Sequence, residues 1–297
     1  MALERGNLFD PVLVNDLFNK VKGESSLAKL SQQEPIPFNG TKEFTFDMDN
    51  EIDIVAEGGK KSHGGITVEP VKIIPLKVEY GARVTDEFMH VDREERIGIV
   101  KGFNDGFARR LARGFDLMAF HGVNPRSALA SSVINDNHFD AKITQEVQAD
   151  NGLPNPNDDV EAAIALVEGS DFDVSAMAMS TIFRSALAKE KDAQGLALFP
   201  ELAWGNNPGS INGLPVEVNR TVSDMSDNAR AYLGDFANAF KWGYAKQVPF
   251  KIIEYGDPDN SGKDLQGYNQ VYLRAEAFIG WGILIPEAFA RIVEKDE

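Results

Sequence analysis

Cysteine is absent from the 297 residues. That removes disulfides, thiolate metal sites and a cysteine nucleophile. Basic residues are in short supply: 30 Lys and Arg stand against 46 Asp and Glu, a formal net charge of −16 at pH 7. Neutralising phosphates takes basic patches, so this composition argues against a nucleic-acid-binding protein. No uninterrupted apolar run spans a bilayer, and the opening MALERGNLFD lacks the apolar core of a signal peptide. The expectation is a protein made in a soluble compartment, the cytoplasm. The four histidines, His63, His90, His121 and His138, show no ligand spacing. A lone histidine is more often a hydrogen-bonded structural group than a ligand. There is no G-x-S-x-G elbow, P-loop, H-E-x-x-H or C-x-x-C. No catalytic, cofactor-binding or metal-ligating residue is assigned, and the chain is expected not to be an enzyme. Carboxylates scattered in sequence can still converge in space, so a missing motif alone excludes no enzyme.

What is present is ordinary globular composition, 43% hydrophobic and 26% charged, organised around one stretch. DREERIGIVKGFNDGFARRLARGFDLMAFH, Asp92 to His121, reads as a single amphipathic helix. Val100, Phe103, Phe107, Leu111, Phe115 and Met118 recur at spacings of three and four and form one stripe. Asp92 suits an N-cap, with Glu95 closing a capping box. Gly122 and Pro125 supply the stop. At 1.5 Å per residue the helix is about 43 Å long. Gly98, Gly102 and Gly106 share one face of it, each costing about 1 kcal/mol against alanine. They read as tolerated weak formers, as a site of close approach by another backbone, or as a place where the helix bends. The flanking charges rule out a membrane-dimer motif.

Ahead of this helix, residues 1–38 read as an arm. Asp10-Pro11 starts a short helix, a second apolar patch holds Leu27 and Leu30, and Pro35 and Pro37 force extended backbone. Residues 41–56 alternate at period two, with Phe44, Phe46, Met48, Ile52 and Ile54 on one face and Asp47, Asp49, Glu51 and Asp53 on the other. The spacing D-x-D-x-E fails as a calcium loop, because Ile52 stands at the sixth position and Gly58 at the twelfth. A glycine-rich tip, Glu57 to Gly65, leads into a second strand pattern over 66–84. Together 41–84 predict a long hairpin, and a two-stranded ribbon is marginal in water unless it lies on something else, such as another subunit.

Beyond the helix, DNGLPNPND is turn chemistry. An α/β pattern follows: a helix capped near Asp158 with Val160, Ile164 and Val167; a buried strand to Met179; a helix with Phe183 and Leu187; and strands at GLPVEVN and ARAYLGDF. FKWGYAKQVPFKIIEYG predicts a hairpin, DPDNSGKD a surface turn, and the last 30 residues a strand followed by a proline-started helical turn.

Several of these stretches, in this order, resemble the major capsid proteins of tailed bacteriophages. They are the arm (DPVLVNDLFNKVKGESSLAKL, then PIP), the strand pair with its charged tip, the Asp92–His121 helix, MSTIFRSALAKEKDAQGLALFPE, GLPVEVNRTVSD and YLRAEAFIGWGILIPEAFARI. The resemblance implies an α+β fold of the HK-ninety-seven type. It divides the chain into an N-terminal arm (1–38), an E-loop hairpin (39–87), a P-domain with a spine helix (88–155), an A-domain (156–267) and a return to the P-domain (268–297). It implies a virion protein assembled in the host cytoplasm from hexamers and pentamers of itself into an icosahedral shell. The shell would enclose double-stranded DNA without sequence-specific binding and touch no membrane. A separate scaffolding protein is expected, since the arm begins near Met1, together with a portal and decoration proteins. Acidity fits such a wall, which repels packaged phosphate. The acidic strand face either lies against Arg109, Arg110 or Arg113 of a neighbouring helix or is, like that helix face, simply solvated. Lys60 and Lys61 are the tip lysines available for an isopeptide crosslink, the plainer reading being solubilising charge. The arm and the ribbon are expected to find apolar cover only on sister copies. The alternatives are an encapsulin-like bacterial compartment and, from another class, a soluble hydrolase-type enzyme.

Overall fold

The computed structural model describes residues 24–295, apart from 49, 51, 62, 91, 225–227 and 247–249. The first expected helix, at Asp10, therefore lies outside the described residues. The described chain opens on α1 (Ser26–Leu30), then β1 (Thr41–Met48), β2 (Ile66–Ile73) and β3 (Leu76–Thr85). The long helix α2 (Arg93–His121) follows, with the short β4 (Val123–Asn124), β5 (Leu129–Ala130) and α3 (Phe139–Lys142). Next come β6 (Glu146–Ala149), α4 (Pro156–Glu168), β7 (Ala176–Met179), α5 (Thr181–Leu187), β8 (Ser210–Ile211), β9 (Leu214–Val218) and β10 (Ala229–Gly234). The chain ends with β11 (Phe240–Lys246), β12 (Phe250–Ile253), β13 (Gln270–Ile283) and β14 (Phe289–Glu294).

Helix α2 runs as its periodicity predicts. Val100, Phe107, Leu111, Phe115 and Met118 are buried, and Phe103 packs half-buried against the same core. Asp92 has the extended backbone of an N-cap, but its side chain makes no capping hydrogen bond. At the other end Gly122 takes φ +66°, and its N–H donates to the Met118 carbonyl, the left-handed stop that glycine permits without strain.

Two sheets flank the helix. The first has six strands in the order β6-β14-β10-β7-β9-β8, with β6–β14 and β7–β9 parallel and the other pairs antiparallel. Its central strands β7 and β10 are buried along their whole length because both faces are covered. Met177 and Met179 point into a core with Ala163 and Val167 of α4 and Phe183 and Leu187 of α5. The alternate residues Ala176 and Ala178 face the aromatic core of α2. The second sheet is built on β13. β3 pairs along one edge of it, and β11 and β12 share the other end to end.

Three expectations are corrected here. β3 is not part of the long hairpin; it pairs with β13 over ten residues. β11 and β12 do not pair with each other, since the 14 residues of β13 accept both. The last element is not a helical turn alone, because the turn at Pro286–Ala288 leads into β14, a strand of the first sheet. Each depends on a partner far away in sequence, which local alternation does not encode. Sheet membership also crosses the sequence divisions: β6 and β14 join the strands of 156–267, while β11 and β12 join β3 and β13. Helix α4 starts at Pro156 instead of near Asp158, which places Asp158 and Asp159 in its first turn.

Candidate assembly surfaces

The hairpin β1–β2 forms a two-stranded sheet of its own. Its root is fixed. Ile73 is 1% exposed, and a Cβ on Gly282 of β13 would sit 2.8 Å from the Ile73 side chain, so glycine there lets the hairpin root seat against the sheet. Away from the root that support ends. Phe44, Ile66 and Val68 are exposed, and Ile52 and Ile54, which were expected to continue β1, lie beyond its end at Met48 and are 97% and 96% exposed. Lys60, Lys61 and Asp53 are exposed as well. Exposed apolar residues spread along one projecting element mark a contact surface.

The N-terminal third of α2 is similarly open. Ile97 and Ile99 are exposed. A Cβ at Gly98, Gly102 or Gly106 would meet nothing within 4 Å, so among the described residues no backbone approaches that face. Of the three arginines expected to meet a neighbour's acidic strand, Arg113 instead contacts Asp224 of its own chain at 2.5 Å. Arg109 and Arg110 are exposed. The side chains of Asp47, Asp49 and Glu51 lie outside what is described. A second apolar group is exposed on α5 (Ile182) and on the segment from α5 to β8 (Leu196, Leu198 and Trp204).

The arm behaves differently from expectation. Ser25, Ser26, Leu27, Ala28, Ser31 and Ile36 are buried, with Leu27 in the same core as α2, so the apolar residues of this part of the arm find their cover on their own body. Asp116 makes the attachment. Fully buried in α2, it accepts from the Ser25 hydroxyl (2.5 Å), the Ser26 N–H (2.9 Å) and the Leu27 N–H (3.3 Å). The Thr221 hydroxyl (3.0 Å) and the Asn219 amide (3.4 Å) donate from the other side. The carboxylate thus caps α1, whose first N–H groups have no helical partners. Burial pushes its pKa up to about 6, against the pull of these donors. Lys29 adds an ion pair with Glu217 at 2.5 Å. Beyond α1 the chain runs beside β11: the Glu34 N–H donates to the Trp242 carbonyl (2.9 Å). A Cβ at Gly243 would fall 1.6 Å from the Glu34 carbonyl oxygen, so only glycine admits the arm there.

The sequence carried a signal for this clamp that the apolar-stripe reading passed over. Ala112, Ala119 and Phe120 lie three or four residues from Asp116 on the same helical face and are all buried. A carboxylate inside an apolar face must find donors.

A second polar group sits where α2 ends. His121 faces the Asp140 carboxylate through Nδ1 (2.7 Å) and the Thr221 carbonyl through Nε2 (2.8 Å). The Tyr232 hydroxyl donates to Asp140 (2.5 Å), and Arg291 lies between Asp140 (3.6 Å) and Glu146 (2.6 Å). Burial works to raise the Asp140 pKa, but these hydrogen bonds and the charges of His121 and Arg291 together hold it below the usual carboxylate range. The same burial and the adjacent carboxylate push the Tyr232 hydroxyl well up. The network joins α2, α3, β6, β10 and β14 and serves packing, which is the structural role expected of a lone histidine. Among the described residues no group of three or more acidic or histidine side chains is placed to hold a metal ion.

A subunit with a buried, cross-braced body and an uncovered ribbon belongs to the class of proteins that complete themselves by assembly. The comparisons agree. A family model for the phage capsid family matches residues 5–293. The chain is similar to a structure from Mycobacterium phage Ogopogo, with 30% identity, 92% of each chain covered and a TM-score of 0.78. It is similar to one from Gordonia phage Cozz, at 24% identity, covering 92% of this chain and 87% of that one, with a TM-score of 0.75. It also shares its fold with the capsid of an empty GTA particle, at 16% identity, 92% and 90% coverage and a TM-score of 0.67. No curated protein matches it. The chain belongs to the phage capsid family. It is a major capsid protein and a component of the virion, and the bacterial-compartment alternative is not favoured.

Proposed function

We propose that this chain is the repeated subunit of an icosahedral shell of hexamers and pentamers that encloses double-stranded DNA and assembles in the host cytoplasm. The observation that carries this reading is the ribbon: among the described residues β1 and β2 pair only with each other, and Phe44, Ile66 and Val68 are exposed. The ribbon corresponds to the E-loop, β3 and the β13 sheet with α2 to the P-domain, and the six-stranded sheet with α4 and α5 to the A-domain. The chain acts as a wall and not as an enzyme. Its charge of −16 leaves packaged DNA unbound and releasable. Scaffolding, portal and decoration proteins complete the partner set.

Negative-stain microscopy of the expressed chain tests the reading. Closed or capsomer-like particles are the expected outcome, and a monodisperse small oligomer under all assembly conditions refutes it. Particles recovered from infected cells are expected to hold nucleic acid. A protein cargo in its place would restore the compartment reading.

A further inference from the structure

The helices over the six-stranded sheet leave two exposed surfaces of opposite character. The first is the outer face of α4 and the turn after it. Residues 158–173 hold six acidic residues and no basic one. Ala163 and Val167 turn into the core, which leaves Glu161, Ala165, Leu166 and Glu168 exposed on the other side. Among the described residues neither of these carboxylates has an ion-pair partner. The second surface is the segment from α5 to β8. Lys191 bridges Ala197 to make a small hairpin. Asp192 Oδ1 braces it from within, accepting from the Gln194 N–H (2.9 Å) and the Leu196 N–H (2.8 Å). Glu190 also faces inward: Oε1 accepts from the Asn157 N–H (3.2 Å) and Oε2 is shut off from solvent. Both acids are spent on the frame, and Lys189 and Lys191 stand exposed beside Leu196 and Leu198. Neither lysine has an ion-pair partner among the described residues. Further along, Leu202 is buried while Trp204 is fully exposed. Trp204 takes φ +59°, a left-handed conformation that a bulky residue rarely adopts. A large aromatic side chain held out on a braced segment has its burial still to gain, and such residues are the usual anchors of interfaces.

The two surfaces lie toward opposite ends of one sheet. α4 packs on β6, β14 and β10, the first strands in its order, whereas the second segment leads into β8, the last. A cleft lined by Pro154, Asn157, Arg184 and Lys189 runs between them. Each surface joins apolar side chains to charge of one sign, and the signs are opposite. We propose that these surfaces bind each other between copies of the chain, with Trp204 of one subunit packed on Ala165 and Leu166 of the next, and Lys189 and Lys191 facing Glu161 and Glu168. Two different patches of one chain make a head-to-tail contact, and repeating it around an axis closes a ring. The contact rests on the shell reading and supplies the seam between neighbours within one ring. Subunits of charge −16 repel one another, and here the seam places cations where that repulsion is met.

Because the chain has no cysteine, introduced thiols report on this seam alone. Full-length Leu196→Cys, Ala165→Cys and the double variant are assembled, treated with a short bismaleimide and run on denaturing gels. The double variant is expected to give a ladder reaching pentamer and hexamer, the co-assembled single variants dimers only, and either single variant by itself monomers. Monomers from the double variant, dimers from one single variant alone, or an equal ladder from a Leu196→Cys/Tyr255→Cys control overturn the contact. Charge exchange is the second measurement. Lys189→Glu/Lys191→Glu and Glu161→Lys/Glu168→Lys should each lower particle yield about tenfold, and the four substitutions together should restore it. No loss, or loss without restoration, overturns the pairing. Parent particles seen by microscopy without the ladder refute this seam and leave the shell reading standing. A parent that forms no particles refutes the shell reading, and the ladder in whatever oligomer it does form still decides the seam.

Discussion

Asp116 offers a quantitative check on how the arm is held. Its pKa is raised from 3.8 to about 6 in the folded chain. At a pH between those values the folded state holds more protons than the unfolded state, so this residue's contribution to stability falls as pH rises from about 4 to 6 and is flat above. A shift of that size corresponds to about 3 kcal/mol at 1.36 kcal/mol per unit. Asn in this position does not titrate. The difference in unfolding free energy between parent and Asp116→Asn should therefore shrink by about 3 kcal/mol between pH 4 and pH 7 in the direction of a relatively weaker parent. Asp116→Ala removes the acceptor altogether and leaves the N–H groups of Ser26 and Leu27 and the Thr221 hydroxyl without it. At about 1–3 kcal/mol for each buried donor left unpaired, and with partial relaxation, a loss of about 3–6 kcal/mol is expected at neutral pH. Urea unfolding of dissociated subunits reads this through Trp242 and Trp281, both packed on Phe115 next to Asp116. Hydrogen exchange at residues 26–30 should rise in step. A parent–Asn difference that is flat or grows with pH, or an Asp116→Ala subunit with unchanged midpoint and unchanged exchange, would refute the clamp.

Paired Phe44→Ser and Ile54→Asp substitutions alter exposed side chains, so subunit stability should move by less than about 0.5 kcal/mol, while particle yield by sedimentation drops; full yield would count against the ribbon as an assembly contact. Replacing Gly98, Gly102 and Gly106 together by alanine meets no steric obstacle among the described residues and should stabilise the subunit by about 2–3 kcal/mol. Normal assembly of that variant would show that no neighbour packs closely on the open face. Tyr232→Phe withdraws one donor from Asp140 and should cost about 1–3 kcal/mol in urea unfolding, and a neutral result would mean the network relaxes around the gap.

Helix α2 was legible because its evidence is local. The stripe from Val100 to Met118 and the glycine stop repeat within a turn or two, and any helix built from those residues must bury that face. The alternation of Leu76 to Val84 likewise announced a strand, and the DPDNSGKD composition a turn. Composition and absent motifs narrowed the function, and the ordered stretches identified the family. The candidate surfaces were half visible: the ribbon was expected to be uncovered and is, whereas the arm was expected to be uncovered and is clamped over residues 24–36.

Tertiary structure alone decided the partners. β3 could have closed a hairpin with its predecessor, but β13 offers it ten registered positions about 190 residues away. Asp116 reads as one more charge on a helix until Ser25 and Thr221 arrive from 91 and 105 residues off. The turn at Asp257 reads as solvent-facing until Arg83 enters it. A sequence records which side of each element is apolar, since that property is periodic and near at hand. Which donor meets which acceptor is settled only when remote segments are brought together, because desolvation in the packed chain penalises every pairing except those that satisfy both groups.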